Sequence, residues 1–387
     1  MTRPVYLDNN ATTPVDPRVV EAMLPYLREE FGNASSASHA YGWAADETVE
    51  LARERIAQLI HCAPNALVFT SGATEGINFA IKGIAAARHT SGKHIAVTAT
   101  EHRAVLDTCR RMRKDGFEVS TIPVENDGIV RPETVAAALR DDTILVAVIW
   151  ANNETGVVQP IAEISGMVRD RGIAFLSDAT QAIGKIAVRA DLADLMVGSA
   201  HKMYGPKGTG ILYINPDMKG PKPMPLIEGG GQEHGLRGGT LNTPGIAGMG
   251  MAAEIALSEM SGDADRLQRL RDELERVILS GCKDAAVNGN REHRLPQTTN
   301  IRFPGAPAAD LLSELRDVAL SAGSACSSGS GKPSHVLKAM GLSDTQAASS
   351  IRIGLGRFTT ELDVNFAAER IVQAVRDVRE RQSVLQR

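Results

Sequence analysis

The sequence predicts an α/β protein whose mostly parallel sheet is covered by helices on both faces, followed by a smaller α+β domain. In the first two thirds of the chain, short runs of apolar and β-branched residues alternate with helical stretches. Continuous apolar strands separated by helices are typical of a parallel sheet that is buried on both faces. From about residue 262 the pattern changes to a charged helix and short strands, so we expect a second domain there.

The elements of the larger domain follow from this pattern. Asp16 and Pro17 are suited to the N-cap and first position of a helix, and a second helix is predicted at 43–60. The predicted strands lie at 66–70, 94–99, 117–122, 143–150, 172–177, 193–198 and 209–214. The helices between them are predicted near 74–88, 103–115, 132–140 and 160–170.

The remaining elements belong to the predicted smaller domain. They are a charged helix at 263–279, short strands near 298–303 and 318–320, and a final helix at 361–385. We therefore expect a large domain at 14–260 and a small domain formed by 1–13 with 261–387. The stretch 219–250 is rich in Gly and Pro and is predicted to be a long functional loop.

Composition narrows the classes of function. The chain has 387 residues and a net charge of −4, which argues against general binding of nucleic acid or anionic membranes. The N-terminus has no apolar segment of a secretory signal, and the longest apolar run, 144–151, is too short to span a bilayer. We therefore expect a cytoplasmic protein without direct membrane association.

The four cysteines are Cys62, Cys109, Cys282 and Cys326, and they are far apart in sequence. There is no CxxC pair, so we expect no metal site and no local redox pair. Cys326 stands out because only Ser, Ala and Gly surround it across 321–331. A free thiol in such a small-residue loop, which we expect to be mobile, is predicted to be a reactive nucleophile rather than a core residue.

Three motifs in the larger domain indicate a cofactor site. The predicted strand 66–70 runs through Ser71-Gly-Ala-Thr-Glu75 into a helix, which is an arrangement that binds phosphate, although a simple capping box is the alternative. Asp178 follows the strand at 172–177, where α/β sheets bind ligands; a helix N-cap is the alternative there. Lys202 follows an apolar strand and is suited to Schiff-base chemistry, although most lysines are surface residues. In this order, the three motifs are typical of a pyridoxal 5′-phosphate (PLP) site.

The chain resembles the cysteine desulfurases of the NifS and IscS group, which are class V aminotransferase-like PLP enzymes of fold type I. The resemblance extends over nearly the whole chain. The matching motifs lie at 6–13, 31–36, 71–75, 100–102, 151–156, 178–181, 201–202, 229–233, 237–240, 323–330, 351–352 and 357–360.

The resemblance implies a set of cofactor contacts. Lys202 would bond covalently to PLP and move protons, and Asp178 would pair with the pyridine nitrogen. Gln181 and Asn153 would bond the phenolic oxygen region, and His102 would stack on the ring. The phosphate would be held by Thr74, Ser199 and His201, together with Thr240 from the neighbouring subunit of a homodimer.

The resemblance also implies how the substrate is used. Arg352 would clamp the carboxylate of L-cysteine, with Asn33 nearby. Cys326 would attack the substrate sulfur, hold it as a persulfide and pass it to an acceptor, while L-alanine leaves. The acceptor is unknown: iron–sulfur cluster assembly, other cofactors and nucleic-acid modification all draw on such enzymes.

Alternatives stay open for several of these residues. His102 and His201 could be ordinary structural histidines, Arg352 could form a structural ion pair, and Ser199 could satisfy backbone groups. The chain also departs from the usual family pattern at His234, Gly238 and Leu176, and the sequence does not reveal the effect.

Other functions compete with desulfuration. A selenocysteine lyase would share almost every motif, and a class V aminotransferase would share Lys202 and Asp178 without needing Cys326. A non-enzymatic scaffold is the alternative from a different class.

Overall fold

The computed structural model describes residues 3–323 and 333–385, and the segment of Cys326 lies outside these residues. The helices are α1 (Pro17–Arg28), α2 (Ala40–Ile60), α3 (Ala73–Arg88), α4 (Arg103–Lys114), α5 (Pro132–Ala138), α6 (Ile161–Asp170), α7 (Thr243–Gly281), α8 (Ala308–Glu314), α9 (His335–Ala339), α10 (Asp344–Ala348) and α11 (Glu361–Leu385). The strands are β1 (Val5–Tyr6), β2 (Leu67–Thr70), β3 (His94–Thr98), β4 (Glu118–Ile122), β5 (Thr143–Ala147), β6 (Ala174–Asp178), β7 (Leu195–Ser199), β8 (Gly210–Ile214), β9 (Ala286–Val287), β10 (Thr298–Arg302), β11 (Val318–Ala319) and β12 (Ser350–Gly354).

A seven-stranded sheet forms the centre of the molecule, with the strand order β2-β8-β7-β6-β5-β3-β4. The strands from β7 to β4 pair in parallel, and only β8 runs antiparallel to its two neighbours. Because β8 reverses the direction twice, β2 points the same way as the parallel strands. The predicted fold class, a mostly parallel sheet covered by helices, is confirmed.

The sheet is buried on both faces because its strands are apolar on both faces. All residues of β5, β6 and β7 are buried. Side chains alternate across a strand, so Val146 and Phe175 lie in one hydrophobic cluster while Leu145 and Leu176 lie in the other. This double burial explains why the strands are continuous apolar runs in the sequence.

The C-terminal sheet is a separate three-stranded antiparallel sheet with the order β12-β10-β9. It packs with α7, α8 and α11 around its own hydrophobic cluster. The N-terminal strand β1 pairs in parallel with β11, and Leu7 is buried in the same cluster. The division into a large and a small domain stays a prediction.

The longest helix, α7, contains 39 residues and passes through residue 260, where the domain boundary was predicted. The prediction of a loop as far as residue 250 is wrong, because α7 begins at Thr243. Its first turns contain glycines for close packing: a Cβ on Gly250 would lie 2.6 Å from the Ala52 Cβ of α2. These helical glycines resemble a loop in the sequence. Within the described residues, no helix is long and apolar enough to cross a membrane.

Candidate active site

A cavity of about 380 Å³ opens at the edge of the central sheet where the parallel strands end. It brings together most of the residues predicted from the sequence. Those that line it are Thr74, His102, Asn153, Asp178, Gln181, Ser199, His201, Lys202 and Arg352.

The parallel strands explain this convergence. We call the loops that follow β2, β3, β5, β6 and β7 the cofactor edge. These strands point the same way, so their carboxyl ends meet at one edge of the sheet, as in other α/β ligand sites. Residues far apart in sequence, such as Thr74 and Lys202, therefore line one cavity.

The N-terminus of α3 forms one wall of the cavity. Its N-cap is Gly72, which has a positive φ of 149° and no side chain to cap the helix. The predicted capping-box alternative is therefore wrong for Ser71 and Thr74. Instead, the backbone N–H of Ser71 donates to Glu75, 2.8 Å away, and Glu75 pairs with Arg237 at 3.0 Å.

The β6 strand ends at Asp178, which is buried at the base of the cavity. Its Oδ1 accepts a hydrogen bond from the backbone N–H of Thr180 at 3.0 Å, which fixes the carboxylate in a turn. No α-helix begins there, so the helix N-cap alternative is wrong. Thr180 lines the cavity, and its hydroxyl is buried without a hydrogen-bond partner in the described part of the chain.

The amine of Lys202 lies beside the N-terminal segment. Its Nζ donates to the carbonyl oxygens of Asn10 at 2.6 Å and Ala11 at 2.7 Å, and Gln181 also donates to Asn10. Sequence reasoning did not assign Asn10 and Ala11 to the site. Because every residue has a backbone carbonyl oxygen, the identities of Asn10 and Ala11 do not indicate this role.

Burial sets the protonation of the two predicted histidines. Burial lowers the pKa of His102 and lowers the pKa of His201 to about 4, so both rings are neutral at pH 7. The Nδ1 of His102 accepts a hydrogen bond from the backbone N–H of Ala104 at 3.1 Å and caps α4. The neutral ring therefore carries its proton on Nε2.

The guanidinium of Arg352 reaches the cavity from β12, in the C-terminal sheet. Only 1% of its surface is exposed. Its Nη2 lies 2.6 Å from Asp8 Oδ1, and its Nη1 donates to the carbonyl oxygen of Asn153 at 3.0 Å. Nε is buried without a partner within the described residues. Arg352 thus forms an ion pair, which was the predicted alternative, and lines the cavity as well.

Three predicted residues do not line this cavity. Asn33 is exposed and accepts a hydrogen bond from the Ser35 backbone. Thr240 is exposed in a neighbouring cleft of about 90 Å³, which shares Ser71 with the cavity. Cys326 lies outside the described residues, so the prediction for it is untested.

The three family departures lie away from the cavity walls. His234 is exposed and has a left-handed φ of 56°, and Gly238 is buried in the same loop. Leu176 is a buried core residue of β6. A leucine at this position adds to the apolar core of the sheet, whereas a histidine would bury a polar ring there.

The described residues fit PLP. The strand-end carboxylate of Asp178 can pair with a pyridinium nitrogen, and the Lys202 amine reaches the same cavity. Gly72 places no side chain at the N-cap of α3, and helix N-termini favour phosphate. The unpartnered hydroxyl of Thr180 indicates space for a further polar ligand atom.

Comparisons with known proteins agree with this geometry. The aminotransferase class-V family matches residues 5–366. A cysteine desulfurase IscS of Anaeromyxobacter dehalogenans is 50% identical over 385 residues, covering 98% of this chain and 94% of that relative. A solved NifS-like protein superposes with a TM-score of 0.89 at 38% identity, covering 96% of this chain and 98% of that one. A structure described as SspA in complex with cysteine has a TM-score of 0.80 at 36% identity, covering 92% of this chain and 99% of that one.

These similarities extend over both sheets and include the whole cavity. They confirm the predicted enzyme class and PLP as its cofactor. The chain belongs to the class V aminotransferase family and, within it, to the cysteine desulfurases of the NifS and IscS group.

Proposed function

We propose that this protein converts L-cysteine to L-alanine and that Cys326 receives the sulfur as a persulfide. The observation that carries the proposal is the meeting of Asp178, Lys202 and Arg352 in one cavity. A carboxylate, an amine and a guanidinium match the three groups that an amino-acid-handling PLP site needs.

The residues of the cofactor edge would have different roles in proton transfer. PLP, when bound, supplies an electron sink for the bonds around the amino-acid Cα. Asp178 would hold a proton on the pyridine nitrogen. The Lys202 amine would take the proton from the substrate Cα and return it later. His102, neutral because burial lowers its pKa, would cover the ring face without adding positive charge.

The substrate would be oriented from the opposite side by Arg352. A guanidinium binds a carboxylate through two parallel N–H donors. The buried Nε of Arg352, which lacks a partner among the described residues, supports this role because a carboxylate would satisfy it. Arg352 would therefore fix the substrate so that its Cα proton faces Lys202.

The sulfur transfer balances without an external oxidant. The Cys326 thiolate would attack the substrate sulfur and form an S–S bond, while the bond between that sulfur and the substrate Cβ breaks. The carbon skeleton takes up a proton at Cβ and leaves as L-alanine. The sulfur stays on Cys326 as a persulfide and is then passed to an acceptor.

The other cysteines are poor candidates for this step. Burial raises the pKa of Cys62 and of Cys109 to about 12, and burial also raises the pKa of Cys282. These thiols stay protonated at neutral pH, and a thiol is a far weaker nucleophile than a thiolate. This supports the assignment of Cys326.

The proposed working unit is a homodimer. The large apolar side chains of Phe31, Tyr41 and Trp43 are exposed, and the rings of Phe31 and Tyr41 stack with centroids 5.5 Å apart. Exposed clusters of aromatic side chains are typical of protein interfaces. In such a homodimer, Thr240 would contact the phosphate in the neighbouring subunit, as the family resemblance implies. We propose a cytoplasmic location, and the sulfur acceptor is a further protein.

The substitution Cys326→Ala tests the function. It should abolish persulfide and alanine formation from L-cysteine while the absorbance of bound PLP stays unchanged. Cys62→Ala is the matched control and should keep full activity. Desulfuration by Cys326→Ala at the rate of the unsubstituted protein would contradict the proposal. If the unsubstituted protein instead preferred selenocysteine over cysteine as substrate, it would be a selenocysteine lyase.

A further inference from the structure

Arg352, the residue that we assign to the substrate carboxylate, already forms an ion pair with Asp8 at 2.6 Å. Arg352 lines the cavity, and Asp8 forms a backbone bridge to Gly354 on the strand of Arg352. Asp8 is the acidic residue within ion-pair distance of Arg352 among the described residues. The guanidinium thus already contacts one carboxylate from this chain.

Among the described residues, the hydrogen bonds of Arg352 do not use all of its N–H donors. The Nη2 of Arg352 donates to Asp8 Oδ1 at 2.6 Å, and its Nη1 donates to the carbonyl oxygen of Asn153 at 3.0 Å. Nε stays buried without a partner in the described part of the chain. A carboxylate bound in the usual forked geometry would take two N–H donors at once. Asp8 therefore gives Arg352 a weaker contact than a forked carboxylate would.

The ion pair with Asp8 has a physical consequence for the charge of Arg352. A buried guanidinium without an anion is costly, so Asp8 compensates the charge of Arg352 when no substrate is bound. A second carboxylate on the same guanidinium brings two negative charges together, and like charges at one site oppose each other. Binding of an amino acid must therefore weaken or displace the Asp8 contact.

We propose that Asp8 is an internal competitor of the substrate carboxylate, which sets the affinity of the site for L-cysteine. This inference rests on the proposed function, since it assigns the substrate carboxylate to Arg352. Asp8 does not touch the reacting atoms. It acts through Arg352 and raises the substrate concentration that the site requires.

The test is Asp8→Asn in the PLP-bound protein. The amide keeps the shape of the side chain and removes its charge, so KM for L-cysteine should fall about tenfold while kcat changes little. The matched control is Asp317→Asn, which removes the half-buried ion pair with Arg370 of α11 and should leave KM unchanged. An unchanged or raised KM in Asp8→Asn would overturn the proposal, because it would mean that Asp8 only holds Arg352 in place.

A binding measurement separates this inference from the proposed function. The probe is 3-mercaptopropionate, which has the thiol and carboxylate of cysteine, and its neutral amide is the control. The rise in Tm that saturating 3-mercaptopropionate produces should be larger in Asp8→Asn than in the unsubstituted protein, whereas the neutral amide should give equal shifts. Equal shifts with the acid would overturn the role of Asp8 even if desulfuration is observed. Absence of desulfuration in the unsubstituted protein would instead contradict the proposed function.

Discussion

The cofactor edge and the C-terminal sheet both contribute side chains to the cavity, but they hold these side chains in different ways. The cofactor edge contributes several side chains from the ends of buried strands and the loops after them, such as Asp178, which is fixed by a backbone N–H. The C-terminal sheet contributes one long side chain, Arg352, whose partners come from β1's segment and the loop after β5. The residues proposed to hold the cofactor are therefore fixed by strand ends of the central sheet, whereas the residue proposed to bind the substrate is held by long-range contacts that we propose to exchange during turnover.

The two regions therefore meet two different requirements of a catalytic site: a fixed geometry for the reacting groups and reversible binding of the substrate. Reacting groups need a fixed geometry, which strand ends in a packed sheet provide. Substrate binding and release require a contact that forms and breaks in every turnover. Substitutions in the two regions should therefore have different kinetic signatures: losses of kcat at the cofactor edge, and changes of KM at Arg352.

The largest effect is expected for Lys202→Ala. Removal of the base should lower kcat by about 10⁴-fold, the upper range for general acid–base catalysis. The variant should also lose the covalent link to PLP, measured by mass spectrometry after borohydride reduction. Lys222→Ala, an exposed lysine outside the cavity, is the control. A reducible link retained by Lys202→Ala would show that another lysine bonds the cofactor.

Next in size is Arg352→Lys, which keeps the charge and removes the fork. Loss of one charge-assisted hydrogen bond should raise KM for L-cysteine by about 10- to 100-fold with a small change in kcat. Steady-state kinetics measures both constants. A fall in kcat at unchanged KM would contradict the proposal that the cofactor edge controls kcat and Arg352 controls KM.

A smaller effect is expected for Ser334→Ala, which removes a link between the regions. The Ser334 hydroxyl donates to Glu154 Oε2 at 2.5 Å, and the other oxygen of this buried carboxylate has no partner in the described residues. The substitution should lower the free energy of unfolding by about 1–3 kcal/mol, measured with urea.

The control for this link is Ser343→Ala. Ser343 caps the exposed helix α10 as Ser334 caps α9, but it touches no buried carboxylate. Its loss should cost about 1 kcal/mol. Equal costs for the two serines would mean that only the helix caps matter and that Ser334 does not join the regions energetically.

The smallest effect concerns pH and Glu101. This carboxyl accepts hydrogen bonds from Thr98 and from the Ile149 backbone, and burial raises its pKa to about 8. Between its usual pKa of 4.5 and 8, the folded state holds a proton that the unfolded state releases. Stability should therefore fall as pH rises, by at most about 1.4 kcal/mol per unit.

Glu101→Gln carries no titrating proton and should remove this contribution. Urea unfolding of the cofactor-free protein at pH 6.5, 7.2 and 8 measures the slope for both forms. The range lies above the lowered pKa of His102, so that group stays neutral in the folded state. Parallel slopes for Glu101→Gln and the unsubstituted protein would show that Glu101 is ionised in the fold.

The sequence predicted the central sheet well because its strands are buried on both faces. The apolar runs of β5, β6 and β7 have few other interpretations. The start of α7 was mispredicted because Gly248 and Gly250, which allow close helix packing, have the composition of a loop. Local composition does not report what a glycine packs against.

The same limit applies to the site. Asp178 and Lys202 follow recognisable strands, so their place in the cavity could be predicted. The carbonyl oxygens of Asn10 and Ala11 and the ion pair of Asp8 could not, because they depend on contacts between residues more than 190 positions apart in sequence. Long-range contacts of backbone atoms leave no pattern in the chain.

The pairing of β1 with β11 has a consequence for how the protein is made. The segment that accepts hydrogen bonds from Lys202 is synthesised before the central sheet, yet β1 pairs with Val318–Ala319 and Asp8 with Gly354. The central sheet can fold while synthesis continues, as domains do. The segment that contains β1 must wait until β11 and β12 have been synthesised, so a product that ends before them would carry a folded sheet without a complete site.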